Sequence, residues 1–440
     1  MTNRSDFQIL LQSFADQTEE VVRGKDPLSS LSAFIGEFSA FQPLPAASSD
    51  KRLRTLVSVL IDMSNLLRDQ KAPSLELEIA REESRILALK LLTQLLADAR
   101  SPQPYGAVWM SLAHTLLERH EGSLRENADE ALEAFSRAAD AFSTDSEEHV
   151  RALIGKGYAH LQRSTKDASD EAYRVFKDAL GRVEAGSHDQ SSALVGLGEA
   201  ARERAFGGIS AHQEEALSAY STAIRQLDEG SLDWVTAVLG MANVLQDRVE
   251  GDPATNQEDA ISAYDAAIRA APAEGRTTGR AVLGLAQVLQ SRIRGEPSDN
   301  QERALKLLKG ALSSQVEQGV GWARVQGALG HLLQDRIVGD RQQNQEDALN
   351  AYFAAIKVLP VGSSDWIKSK IGVGHVLQER LSGDEQKNEQ DALAAYEDAL
   401  GYVEDKSAVW AKIQNGIANT LQNTRFGDTE QNQEKARVAF

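Results

Sequence analysis

Apolar positions recur along this chain at helical spacing, in two alternating registers. Val282, Leu285, Ala286 and Leu289 share one helix face, and Ala260, Ala263, Tyr264, Ala267 and Ile268 share another in the preceding segment. Small residues at Ala260 and Ala267 allow close approach of neighbouring helices, while Tyr264 fills the gap between them. The pattern predicts helices over 232–249, 257–270, 276–293 and 300–313, and no strand.

These registers belong to a repeat. Asn256-Gln257-Glu258-Asp259-Ala260 returns from Asn300, Asn344, Asn388 and Asn432, each step being 44 residues. A second block, Leu245-Gln246-Asp247-Arg248, precedes it and returns from Leu289, Leu333 and Leu377; the final version from Leu421 has Thr424 in place of the arginine. Looser copies are marked by Ala131, Ala172 and Ala216, each with an aromatic four residues on: Phe135, Phe176, Tyr220. The same column continues as Tyr264, Leu308, Tyr352, Tyr396 and Phe440. Gly251, Gly295, Gly339, Gly383 and Gly427 break the chain between the two helices of a unit, and Pro272 and Pro360 stop the second helix in two units. Asn256 is expected to be an N-cap, with Glu258 and Asp259 facing the positive helix end.

The spacing of Ala260, Tyr264, Ala267 and Pro272 resembles the second helix of a tetratricopeptide repeat. Leu285-Ala286 and Leu329-Gly330, followed by Leu289 and Leu333, resemble its first helix. Tetratricopeptide units run to 34 residues, so this looks like a long-loop variant. The form Trp322…Leu329-Gly330…Asp335-Arg336…Gly339-Asp340…Asn344-Gln345-Glu346…Ala348 carries that resemblance, which covers about residues 105–440. It implies an all-α superhelical solenoid of antiparallel helix pairs, a non-catalytic binding role, and a bacterial context often adjoining caspase-like CHAT peptidase domains.

Seven complete helix pairs are expected from about 105 to 407, then an eighth first helix over 408–424 whose partner begins at Asn432. The expected organisation is a divergent helical cap over 1–100 and a repeat array over 101–440. In the cap, helices are expected near 6–22, 28–39, 50–69 and 75–99, with a loop at 41–49. A solenoid ends in a polar cap when its last apolar face needs covering. The eighth unit is incomplete, so its face of Ile413, Ile417 and Leu421 is expected to be covered by a continuation of the chain or by another molecule, self-association included.

Composition narrows the function. The chain has 440 residues, more than one ordinary core holds, and its net charge is −18. That field repels phosphate backbones, so no nucleic-acid partner is expected. It has no cysteine, which excludes disulfides, thiolate metal sites and cysteine nucleophiles. No apolar run reaches membrane-spanning length and no signal-type segment opens the chain, so a cytoplasmic protein without membrane partner is expected.

Candidate chemistry is sparse. The eight histidines form no HExxH pair or comparable metal spacing. Gly155-Lys156-Gly157 lacks the strand and spacing of a phosphate loop, and Asp252…Asn256…Glu258 lacks calcium-loop order. No catalytic residue, metal or cofactor is expected. Trp234, Trp322, Trp366 and Trp410 recur in register and are expected to pack the joints between repeats.

First helices line the concave face of tetratricopeptide arrays, and the resemblance puts three rows there. Arg280, Arg324, Lys368 and Lys412 form a basic row. Asn243, Gln287, His331, His375 and Asn419 form a second, and Gln246, Gln290, Gln334, Gln378 and Gln422 a third. Residues 280, 284, 287 and 290 share one helix face, with Gly284, Gly372 and Gly416 leaving room between the first two rows. Amides suit an extended peptide backbone and cations suit carboxylates, so a protein or peptide partner, an acidic segment among the candidates, is expected there. The competing reading is an ordinary solvated face. The leading function is a protein-interaction scaffold or adaptor; the alternative is a sensory arm of a larger effector, such as a caspase-like protease.

Overall fold

In a computed structural model the described residues are 102–119, 123–163, 165–204, 210–271, 276–314 and 319–423, with isolated positions in 82–93 and at 434 and 437. The chain divides into two compact units between Gln226 and Leu227. Most of the region expected as an N-terminal cap, its four helices and its loop, lies outside the described residues. So does the helix expected from Asn432, Glu434 and Arg437 apart.

All described elements are helices, arranged as antiparallel pairs. Unit 1 contains α1 (Pro102–Glu118), α2 (Leu124–Ala141), α3 (Glu147–Gln162), α4 (Lys166–Leu180), α5 (His188–Arg204) and α6 (Ser210–Gln226). Unit 2 contains α7 (Leu232–Gln246), α8 (Pro253–Ala270), α9 (Arg276–Gln290), α10 (Pro297–Ser314), α11 (Val320–Gln334), α12 (Arg341–Val358), α13 (Ser364–Gln378), α14 (Glu385–Leu400) and α15 (Ala408–Asn423). Among the described residues, α1 to α14 run as consecutive pairs and α15 follows them. The fold is an all-α solenoid of stacked antiparallel helix pairs. In each unit the first helices of successive pairs touch one another, while no two second helices pack comparably. That asymmetry puts the first helices on the inside of each unit's curve.

Second helices begin earlier than their pattern suggests. α8 starts at Pro253 rather than near 257, because Asp252, not Asn256, is its N-cap and accepts from the Thr255 amide at 3.0 Å. Asp340 and Asp384 cap α12 and α14 in the same way, at 2.8 Å. Asn256 instead sits one turn inside the helix, buried. Its Nδ2 donates to the Glu250 carbonyl at 2.8 Å and its Oδ1 accepts from Arg248 at 3.3 Å. It staples the inner loop, whose turn passes through Gly251 at φ 86°. Asn300, Asn344 and Asn388 repeat this arrangement.

The two residues after each asparagine tie one repeat to the next. Gln301 donates to the Asp335 carbonyl at 2.9 Å and accepts from the Ile337 amide at 2.9 Å, closing the end of α11. Glu302 takes a two-pronged bond from Arg336, at 2.7 and 3.1 Å. Gln257 with Arg292–Glu258, and Gln345 with Arg380–Glu346, do the same at adjacent joints. These guanidinium bonds hold the Glu258, Glu302 and Glu346 carboxyls below their ordinary range. In unit 1, Arg163–Asp129 and Arg204–Asp170 keep the same 34-residue span with aspartate.

Buried rings fill the joints. Tyr264 and Tyr396 are fully buried, as are Phe135 and Phe176 in unit 1. Each meets a glycine of the following first helix: a Cβ on Gly284 would lie 2.5 Å from the Tyr264 ring, and one on Gly416 would lie 2.6 Å from Tyr396. The room at Gly284, Gly372 and Gly416 is thus occupied by tyrosines of the preceding repeat, rather than left open for a partner. Trp366 is buried against Tyr402, edge to face at 5.3 Å, as expected of joint packing. Ile413 is fully buried and Ile417 and Leu421 half-buried, so much of the face expected to stand open on α15 is covered within the chain.

Candidate functional site

The three rows part company in the structure. The basic row is exposed throughout: Arg280 on α9, Arg324 on α11, Lys368 on α13 and Lys412 on α15. In the second row Gln287, His331 and Asn419 are exposed, and Asn243 and His375 half-buried. The third row mostly turns inward. Gln246, Gln334 and Gln378 accept the hydroxyls of Tyr264, Tyr352 and Tyr396 at 3.0, 3.1 and 2.9 Å. Asn243 shares the Tyr264 hydroxyl at 2.7 Å. Gln378 also donates to the Gly416 carbonyl at 2.8 Å and to Thr420 Oγ1. Those amides solvate a buried phenol, which must keep a hydrogen-bond partner once removed from water. Gln422 is exposed on the last first helix.

One joint differs. The aromatic column holds Leu308 there, and the glycine column holds Ala328. Leu308 is fully buried and brings no hydroxyl. Gln290 accordingly turns its Nε2 to the Ala286 carbonyl of its own helix, at 3.2 Å. Around this joint a pocket of about 630 Å³ opens on the first-helix face, running from the C-terminal half of α9 across α11 to the start of α13. Leu283, Ala286, Gly327, Ala328, Tyr352 and Leu359 give it apolar walls. Of the expected residues it gathers Gln287, Gln290, Arg324, His331 and Lys368. Arg280, Lys412 and the remaining members of the rows lie outside its lining.

Its charge is nearly balanced. Arg324 donates to Asp365 Oδ2 at 2.8 Å, and Lys368 Nζ lies 3.9 Å from Asp365 Oδ1. Two cations thus share one carboxylate at the α13 end. The His331 Nδ1 is 4.0 Å from Asp335 Oδ2. One joint further on, burial pushes the His375 imidazole below its usual pKa, with Lys412 adding to the effect, and its ring stands edge-on to Tyr396 at 5.8 Å.

Asp365, Asp335, Ser369 and Gln301 also line the pocket and were not singled out by the row pattern. For Asp365 the signal was a departure from the repeat, since Thr277, Gly321 and Val409 stand at its position beside the other members of the basic row; Gln301 and Asp335 belong to the repeated motifs themselves. The joint itself was legible as a paired departure, Leu308 with Ala328, in columns otherwise holding tyrosine with glycine through this part of the chain.

Among the described residues, no group of three histidine or acidic side chains is placed to hold a metal ion, and no helix is long and apolar enough to cross a membrane. No protein-family model and no curated protein matches the chain. Solved structures do. A tetratricopeptide repeat protein from Parabacteroides merdae aligns at TM-score 0.44 and 12% identity, over 70% of this chain and 97% of that one. A monomeric mutant of IFIT1 with Gppp-AAAA aligns at 0.45 and 13%, over 86% and 80%. A human IFIT1 dimer with m7Gppp-AAAA aligns at 0.40 and 16%, over 90% and 94%.

Proposed function

We propose that this tetratricopeptide-type array is a non-catalytic protein-interaction scaffold whose first-helix face takes an extended partner segment in the groove over α9, α11 and α13. The observation that carries this reading is the pocket itself, about 630 Å³, with apolar walls flanked by Arg324, Lys368 and the Gln287 and Gln290 amides. Apolar walls with a few convergent polar groups are the usual make-up of a binding site. The amides can read a peptide backbone. The α13 end carries one uncompensated positive charge, which favours a carboxylate on the partner, and this is where an acidic segment would place its acid.

The test is selection from a random peptide library displayed against the full chain, with binding of the enriched peptides measured by fluorescence anisotropy. Enriched peptides should carry acidic residues at one end. Their affinity should fall with added salt, since exposed charges are screened beyond ~8 Å at physiological ionic strength. Arg324→Glu with Lys368→Glu should weaken them about tenfold or more, in the range of a lost charge-assisted contact, with helicity unchanged. An unaffected affinity would move the docking surface elsewhere. Tighter binding of a single-stranded RNA oligonucleotide, competing with the peptides and lost in the same variant, would replace the protein partner by a nucleic acid.

A further inference from the structure

The Leu308 joint is more than a place where packing is thinner. Tyr264, one repeat earlier, shows what this joint lacks. Its hydroxyl is held by Asn243 and Gln246, and its ring lies against Gly284. The residues 44 positions on from those three are Gln287, Gln290 and Ala328, and all three line the pocket. The pocket is therefore lined by the residues that form the phenol's seat in the repeat before it, while the fully buried Leu308 stays outside its lining. Tyr352 and Tyr396 occupy the corresponding seats in the two repeats after it, with their hydroxyls on Gln334 and Gln378. At the Leu308 joint the acceptor remains. Gln290 uses its Nε2 on Ala286, and its Oε1 receives no hydrogen bond among the described residues.

We propose that this seat receives a tyrosine side chain of the partner segment, its hydroxyl donating to Gln290 Oε1 as the chain's own tyrosines donate to the equivalent glutamines. This rests on the peptide-binding reading above and names what the peptide must present. Ala328 makes the seat shallower than the one beside Gly284, so the ring enters from the first-helix face and leaves Leu308 in place beneath it. The rest of the segment runs toward α13, where Arg324 and Lys368 share Asp365, and an acidic residue C- or N-terminal to the tyrosine meets them. The pocket's volume holds one aromatic side chain with neighbouring backbone; larger rings without a donor fit the walls but leave Gln290 Oε1 dry.

Three peptide pools that differ only at one fixed central position, tyrosine, phenylalanine or alanine, with random flanks that include acids, decide the matter against the full chain. The tyrosine pool should bind about 3–10-fold more tightly than the phenylalanine pool, the range of one neutral hydrogen bond. Gln290→Leu should bring the two pools to equal affinity. Leu308→Tyr combined with Ala328→Gly rebuilds the Tyr264–Gly284 pair at this joint, fills the seat from within, and should abolish the preference for either aromatic pool over alanine. Because that variant copies a pair the chain already packs, helicity should be retained. If all pools bind equally, or the phenylalanine pool binds as well as the tyrosine pool, the proposal is overturned while peptide binding stands. If no pool binds, both fall. Binding that keeps its tyrosine preference in the filled-seat variant places the ring elsewhere and overturns the proposal.

Discussion

Exchange of the ring and glycine columns gives the sharpest test of how the joints are packed. Gly284 faces the Tyr264 ring so closely that an added Cβ would sit 2.5 Å from Cε1 and Cζ and 2.7 Å from the hydroxyl. That is about 1 Å inside ordinary carbon contact. The ring cannot swing away, because it is fully buried and its hydroxyl is held by Asn243 and Gln246 at 2.7 and 3.0 Å. Overpacking of this kind costs about 1–3 kcal/mol, offset by about 1 kcal/mol of better helix propensity, so Gly284→Ala should destabilise the joint by about 1–2 kcal/mol. Tyr264→Leu alone should cost about 1–3 kcal/mol through the lost ring volume and hydroxyl bonds. Together the two should cost clearly less than their sum, because the new methyl enters the space the ring leaves, as at Leu308 and Ala328. A coupling of at least about 1 kcal/mol is expected. Repeat arrays open locally, so the assay is hydrogen exchange at amides of α7, α8 and α9, read beside urea unfolding. Additivity within about 0.5 kcal/mol would refute the account of the joint.

The inter-repeat ties make further expectations. Arg336→Thr should destabilise the α10–α11 joint more than Arg336→Thr with Glu302→Gln, since a carboxylate left without its guanidinium is worse than a neutral pair; exchange at the Ile337 amide reads the difference. The sequence itself has glutamine at 390 and threonine at 424, the positions 88 residues on from Glu302 and Arg336. Acid should loosen unit 2: Glu258, Glu302 and Glu346 have pKa values lowered in the folded state, chiefly by their arginines, so their contribution is full above about pH 4.5 and is lost as pH falls through the folded values. His375, lowered by burial, adds to this in the same direction, its contribution falling as pH drops below about 6.5; Arg-to-Lys exchange at 336 with circular dichroism against pH separates the two. Asp340→Ala should cost about 1 kcal/mol and speed exchange in the first turn of α12, where the cap bond is 2.8 Å.

The helix pairs, their number and their 44-residue register are set by local rules: apolar spacing, Gly–Asp breaks, and a motif repeated without slippage. A solenoid transmits these directly, because each unit packs only on its neighbours and no distant strand pairing has to be inferred. The repeated motif's meaning was not local. Asn256 carries the composition of an N-cap, yet Asp252 takes that role, as Asp340 and Asp384 do in later repeats with no proline after them, leaving the asparagine to bind the loop behind it. Gln301 and Glu302 reach partners 34 and 36 residues away, a distance that only stacking can close.

The face that could bind followed the same division. Helical spacing put the three rows on the first helices, and the basic row is exposed there. Spacing alone could not tell a glutamine facing solvent from one solvating a buried phenol, since both lie within one helical turn of the exposed side. The amide's direction depends on whether the opposing second helix brings a hydroxyl. Tyr264, Tyr352 and Tyr396 bring one and turn their glutamines inward; Leu308 does not, and a pocket opens beside Gln290. The sequence by itself determined the columns and marked the joint where they change. Tertiary packing decided what each column faces, because filling a buried gap and satisfying its polar groups are settled between helices and not within one.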